Sequence, residues 1–260
     1  VAAEVSPDLA RLWRLPAESR LGRHAKLDVE QVVRAAVGLA DLDGLAGVTL
    51  PNIAKSLGVT PMSLYRYVGS KDELFVLIGD FAIGPPIEIS TTAEEWRAGL
   101  RQYALAQAER TRLHPWLAHL PIAGPPRGPN GIGWLDAGLR VLRDTGLDWA
   151  AKVGIVAVVG GYVRSTLQLT LDLEHGRRGT DLNQEQTERD YAQTLAGLVE
   201  PSRFPEAAKL FGSGLFESPP DRPSTEPEDH DFIFGLDLIL DGVTTTIDRI
   251  VHHRHSTSDQ

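Results

Sequence analysis

Thr49-Leu50-Pro51-Asn52-Ile53-Ala54-Lys55-Ser56-Leu57-Gly58-Val59-Thr60-Pro61-Met62-Ser63-Leu64-Tyr65-Arg66-Tyr67-Val68, running on into Gly69-Ser70-Lys71, carries two short helical signals separated by a tight break. Thr49 stands where a hydroxyl accepts from a free N–H of a first helical turn, and Pro51 suits a turn that has no N–H partner to lose. Ile53, Ala54 and Leu57 share a face, and Gly58 follows at the position where left-handed backbone ends a helix. Thr60 is placed to cap a second helix with Pro61 in its first turn, and Leu64 and Val68, at i and i+4, point inward. The small Ala54 allows the second helix to cross closely. The pattern predicts a helix-turn-helix.

At about 100° per residue, the second helix presents Met62, Ser63, Arg66 and Tyr67 on one outward arc, with Tyr65 at its border. A merely solvated face would be dominated by Glu and Lys. This one offers a thioether, hydroxyls and a guanidinium, groups that reach base edges, thymine methyls and phosphates. An exposed helical hairpin in an all-α core is the bland alternative. Cap, turn glycine, inward residues and outward arc agree better with a DNA reader.

Leu64-Tyr65-Arg66-Tyr67-Val68-x-x-Lys71-x-x-Leu74, preceded by Ile53-Ala54 and followed by Asp80, resembles the DNA-binding domain of the tetracycline-repressor (TetR) family, over residues 28–81. The resemblance implies an all-helical homodimer, with an N-terminal three-helix reader followed by a larger ligand-binding and dimerisation domain. It also implies that Lys71 contacts a phosphate and that the helix it opens links ligand pocket to reader. One feature departs from the family: Pro51-Asn52 stand where the best-studied members place a base-reading Arg, so the same operator is not implied. The candidate DNA contacts are Thr49, Asn52, Thr60, Pro61, Met62, Ser63, Tyr65, Arg66, Tyr67 and Lys71. Of these, Ser63, Tyr65 and Arg66 are assigned to bases, and Thr49, Tyr67 and Lys71 to phosphates.

The chain as a whole bounds this reading. At 260 residues, 42% hydrophobic and 23% charged, it is long enough for one small and one large helical unit. With no cysteine, disulfides, thiol nucleophiles and Cys-ligated zinc are excluded. A net charge of −9 at first argues against nucleic acid, but residues 9–27 carry Arg11, Arg14, Arg20, Arg23 and Lys26 against one acid, Glu18, and the acidity is concentrated after residue 81. Residues 1–27 lack sustained helical periodicity, apart from a short helical turn within Ala10–Leu15, and read as a flexible basic arm. Arg20, Arg23 and Lys26 are its candidate minor-groove or phosphate contacts. The first residues lack the basic-then-apolar order of a secretory signal, and no apolar run reaches a membrane span, Val153–Val163 being the longest; a cytoplasmic location is therefore expected.

Three domains are expected: the arm at 1–27, a helix-turn-helix domain with a linking fourth helix at 28–83, and a ligand-binding and dimerisation domain at 84–260. Asp28 opens the first helix and Gly44 stops it; Ser70 caps the fourth; Gly84-Pro85-Pro86 breaks the chain. Further helices are predicted at 93–113 (capped by Thr92), 130–145, 148–173, 184–199, 203–211 and 230–253, with polar loops at 174–181 and 212–230. The helices at 148–173 and 230–253 carry more apolar surface than one core uses, which predicts a homodimer; the family implies a four-helix bundle from this pair. Gly154, Gly160 and Gly161 leave room for a neighbouring helix or a ligand. Aromatics with a polar edge suit a flat aromatic or polycyclic effector, so Trp96, Tyr103, His114, Trp116, Trp134 and Tyr162, with Gln168, are the candidate pocket residues, core packing being the competing account of each.

No cofactor, metal or catalytic set is expected. His-Glu-x-x-His and Gly-x-Ser-x-Gly are absent, and Gly124–Gly131 is Gly-rich without the Lys-Ser/Thr ending of a phosphate loop. His252, His253 and His255 read as a solvated helix end. The function expected is a ligand-responsive repressor on a palindromic operator, the alternative being an effector-independent DNA-binding or architectural protein.

Overall fold

A computed structural model describes residues 5–15, 27–89, 95–177, 184–216 and 227–258, and all regular structure among them is helical. The chain divides into two compact units: Val1–Gln168 together with Phe232–Gln260, and Leu169–Asp231.

The first unit contains two hydrophobic cores. One is built by α1 (Pro7–Leu12), α2 (Val29–Gly47), α3 (Leu50–Leu57), α4 (Pro61–Val68) and α5 (Lys71–Ile83). Asp28 and Gln31 form a reciprocal capping box at the start of α2, each side chain accepting from the other's backbone N–H. Helical geometry breaks at Gly44, which has positive φ, and a short turn then leads to α3. Thr49 Oγ1 accepts from Asn52 N at 3.3 Å, and Gly58 is left-handed, closing α3 with N–H bonds to Ala54 and Lys55 carbonyls. Ile53, Ala54, Leu64 and Val68 are fully buried where α3 and α4 meet. Ser70 Oγ accepts from Glu73 N at 3.1 Å to cap α5.

The other core joins α6 (Trp96–Leu113), α7 (Pro129–Val141), α8 (Trp149–Arg177) and α11 (Pro227–Ser258) around Leu100, Leu142, Val159, Leu236 and Leu240. A 3-10 turn, Pro115–His119, hands α6 back to the first core, where Trp116 is buried. The second unit holds α9 (Gln184–Ala196) and α10 (Pro205–Phe211), with the Tyr191 ring edge-on to Phe211 and Phe216.

Three expectations need correcting. Part of the N-terminal segment is a docked helix rather than a free arm: α1 buries Leu12 and bonds Arg11 to Glu73, and six residues are too few to show periodicity. Arg20, Arg23 and Lys26 lie outside the described residues, as do Thr92, residues 178–183 and 217–226, and the side chains of His252, His253 and His255. Residues 174–177, expected as loop, continue α8, because a polar last turn has no apolar spacing to reveal it. The third concerns membrane length. α8 has 29 residues and its most apolar 18-residue stretch reaches a mean hydropathy of 1.2, enough to cross a bilayer by length and composition. Counting unbroken apolar runs missed this. Its Val156, Val159, Val163 and Leu167 pack into the protein core.

Candidate functional site

The candidate reading surface is the outward face of α4. Met62 is 76% exposed and Tyr65 49%, and Arg66 is exposed beside them, while Leu64 and Val68 on the opposite face are buried. Between Gly44 and Lys71 the chain has three cations and no carboxylate, so the local field suits phosphate despite the net charge. Two of these cations rest on neighbouring rings. The Arg66 guanidinium lies 5.4 Å over Tyr67 and donates to its hydroxyl at 3.1 Å, and Lys71 Nζ lies 5.3 Å over Phe75. Such exposed cation–π contacts are worth only about 0.5–1 kcal/mol and are readily exchanged for stronger partners.

Several candidates have local duties. Thr60 occupies the cap position of α4, but its hydroxyl makes no cap bond, contrary to expectation; instead Ser63 Oγ donates to the Thr60 carbonyl at 2.6 Å. That leaves Ser63 an acceptor toward an incoming base. Asn52 Nδ2 donates to Gly47 O at 3.0 Å, tying α3 to the end of α2. Pro61 is exposed at the first position of α4.

The aromatic candidates are spent on structure. Tyr103 and Trp134 are buried edge-to-face at 5.7 Å, and Trp134 Nε1 donates to Gly84 O at 2.9 Å. Burial pushes the Tyr103 phenol up to about 12, against the lowering effect of its hydrogen bond with Gln107. Trp116 Nε1 donates to Asp41 Oδ1 at 2.7 Å, and His114 Nδ1 meets the same oxygen at 2.8 Å, so both clasp α2. Tyr162 donates its hydroxyl proton to Phe232 O at 2.8 Å, and Trp96 packs against the core. Trp149 is 72% exposed under Lys152 Nζ.

What the same unit does contain is a cavity of about 450 Å³, and none of Trp96, Tyr103, His114, Trp116, Trp134, Tyr162 and Gln168 lines it. Its walls are Gly79, Asp80 and Ile83 of α5, Gln107 and Thr111 of α6, Gly160 and Arg164 of α8, and the loop through Gly124–Gly128. Gly160 thus faces the cavity, whereas a Cβ on Gly154 or Gly161 would meet nothing within 4 Å. Arg164 Nη2 donates to the Leu120 carbonyl, and burial lowers the pKa of its guanidinium. A lone Arg in the middle of a long apolar helix was the available clue, because an Arg even partly withdrawn from water needs partners.

Asp80 is a second charged residue of the wall, and Arg127 a third. Its carboxylate accepts from Gly131 N at 2.8 Å and Asn130 N at 3.4 Å, so a side chain of α5 caps α7. A Cβ on Gly128 would fall 2.1 Å from Asp80 Oδ1, which makes glycine necessary to this approach. Burial raises the Asp80 pKa, with the two N–H bonds and Arg14 acting against it.

Comparison with known proteins agrees with the reader geometry. Residues 32–78 match the family of bacterial regulatory proteins, tetR family, and residues 90–247 match the tetracyclin repressor-like C-terminal domain. The HTH-type transcriptional repressor DrrR1 of Streptomyces coeruleorubidus is 29% identical over 249 residues, which is 95% of this chain and 88% of that protein. An HTH-type transcriptional regulator of Saccharopolyspora erythraea is 30% identical over 70% of this chain and 71% of its own length. The fold is that of the Streptomyces coelicolor TetR family protein ActR in complex with actinorhodin, with a TM-score of 0.68 at 22% identity, covering 86% of this chain and 99% of that one. The family matches extend over most of the chain, and the helix-turn-helix of α3 and α4 lies inside the N-terminal one: the protein belongs to the TetR family of helix-turn-helix transcriptional regulators.

Proposed function

We propose that this regulator is a ligand-responsive repressor that holds a palindromic operator as a homodimer and releases it when a small molecule fills the cavity beside α5. The observation that carries this reading is the cavity wall itself. Gly79, Asp80 and Ile83 belong to the helix entered directly from the recognition helix through Gly69-Ser70. A ligand that binds better when α5 is displaced lowers operator affinity by its differential binding energy, and by no more. ActR, of the same fold, has been crystallised with actinorhodin and with (S)-DNPA.

In this reading residues 28–83 form the reader, with Ser63, Tyr65 and Arg66 on bases and Thr49, Tyr67 and Lys71 on phosphates. Residues from 84 onward bind ligand and dimerise, and the protein works in the cytoplasm. The lining redirects the ligand chemistry: among the described residues no aromatic side chain lines the cavity, so stacking on rings is not what selects the ligand there. Ile83, Leu117, Leu120 and Val163 provide apolar contact, and Arg164, Gln107 and Thr111 face a carbonyl, phenol or carboxylate. Dimerisation uses the outward faces of α8, with Val153, Gly154, Ala157, Val158 and Gly161, and of α11, with Phe234 and Leu238. Two readers then enter successive major grooves about one helical turn apart.

The test is selection of bound duplexes from a random pool, followed by a small-molecule screen on the selected complex. Enrichment of a palindrome, and compounds that raise the melting temperature of the free protein while releasing the DNA, are the expected results. If compounds that stabilise the protein never release DNA, the larger domain serves dimerisation alone.

A further inference from the structure

The N-terminal helix does more than precede the reader. Arg11 on α1 pairs in a two-pronged manner with Glu73 on α5: Nε donates to Oε1, and Nη2 donates to Oε2 at 2.8 Å. The pair is largely covered, the Glu73 side chain being 13% exposed and that of Arg11 25%. It lies directly over Gly69, the residue that ends the recognition helix. A Cβ there would stand 2.1 Å from Glu73 Oε2 and 2.9 Å from Arg11 Nη2. Gly69 has a φ of 62°, and Ser70 next to it caps α5 through Glu73 N, so the same glutamate closes the turn by its backbone and bears the ion pair by its side chain.

Both ends of α1 are held as well. Arg127 Nη1 donates to Asp8 at 3.2 Å, Trp13 Nε1 donates to Arg127 O at 2.8 Å, and Leu12 is buried in the reader core between these fastenings. Arg11 is therefore carried on a helix that cannot readily follow the turn if it moves.

We propose that Arg11 is a positioning residue for DNA reading: by clamping Glu73 across Gly69 it fixes the turn between α4 and α5, and with it the direction in which Ser63 to Tyr67 leave the reader. Nothing in this step requires an effector. A planar guanidinium with two parallel bonds sets orientation as well as distance, which a single contact does not. The energetic role and the positioning role separate on mutation. Removing Arg11 alone strands a covered carboxylate, which destabilises. Neutralising that carboxylate as well relieves the cost without restoring the clamp.

The experiment uses the full chain, the duplex it enriches from a random pool, and a scrambled duplex of equal length. Arg11→Ala is expected to lose about tenfold on the selected duplex, the size of one lost base contact, with scrambled binding little changed. In Arg11→Ala with Glu73→Gln the melting temperature should return toward that of the wild type, while the ratio of selected to scrambled affinity stays low. Amide exchange over residues 61–75 of the DNA-free protein should rise in both variants. A wild-type ratio in the double variant, or unchanged exchange over those residues, overturns the proposal and leaves the pair a matter of stability alone.

Discussion

The reader and the body solve the problem of burying apolar surface in opposite ways. In the reader, α3 and α4 have 8 residues each, and their buried side chains all meet partners within the same small core. In the body, α8 and α11 run to 29 and 32 residues and keep exposed rows that include Val153, Val158, Leu169, Phe234 and Leu238. The reader is complete as one copy, apart from the arc that faces outward. The body's long helices are not, and small residues at Gly154, Ala157 and Gly161 leave the α8 face open to a close neighbour. In the proposed dimer, this contrast ties self-sufficiency to recognition and incompleteness to assembly.

The sharpest way to break that contrast is Ala157→Arg. Ala157 is exposed on the open face of α8, so an Arg there leaves the fold intact and blocks close helix approach. Light scattering should report a monomer, and operator affinity should fall by about a hundredfold or more, because two linked half-site contacts become one. A dimer of unchanged affinity would place the interface elsewhere. Next in size is Leu64→Ala inside the reader. Leu64 is fully buried, and truncation of such a side chain costs about 2–5 kcal/mol. Thermal melting followed by hydrogen exchange should show residues 50–68 losing protection while the core around Leu100 keeps it.

The two regions also differ in how far they could be read from the residues. Thr49 with Asn52, Gly58, and Leu64 with Val68 are signals spanning no more than five residues, and each has a backbone or packing consequence at its own position. The cavity has no such code. Its walls come from α5, α6, α8 and the loop around Gly124–Gly128, and only packing brings them together. The large rings misled because the core competes for them: Tyr103 and Trp134 satisfy each other, and Trp116 is used by Asp41. The loop residues from Leu120 to Gly128 that line much of the cavity offered no helical spacing to find. The Gly-rich loop was visible as a loop, but its closeness to Asp80 was not.

Within the reader, the proposed reading divides the outward arc into base and phosphate contacts, and a smaller pair of changes tests that division. Arg66→Ala should cost about 1–3 kcal/mol on the selected duplex and relax sequence preference, whereas Lys71→Ala should weaken selected and scrambled duplexes alike and flatten the salt slope by about one unit. Equal losses from both variants on both duplexes would merge the two roles. Because both cations start parked on Tyr67 and Phe75, Tyr67→Phe should change much less than either.

The smallest effect concerns the residue that belongs to both regions. Asp80 rides on α5 yet caps α7, and burial outweighs its two N–H bonds, so its folded pKa lies above the ordinary value. The sign follows from linkage: the ionised form is the disfavoured one in the folded state, so the favourable contribution of the neutral carboxyl is full below the unfolded pKa of about 4 and is lost as pH rises through the folded pKa. Asp237 acts in the opposite sense. Its hydrogen bond from Arg101 holds it below the ordinary range, and its contribution is lost on acidification. Asp80→Asn isolates the first group, because Asp237 is common to both proteins and cancels in the difference. Asn keeps an acceptor for Gly131 N and is never charged, so at pH 7 the variant should be at least as stable as the wild type, by about 1 kcal/mol or less. As pH falls from 7 toward 4, the wild type should gain on the variant and the gap in melting temperature should close. A gap that widens on acidification would mean that the α7 N-terminus holds the carboxylate more strongly than burial opposes it. Asp80 would then be a charge-based cap of α7, and not a strained member of the cavity wall.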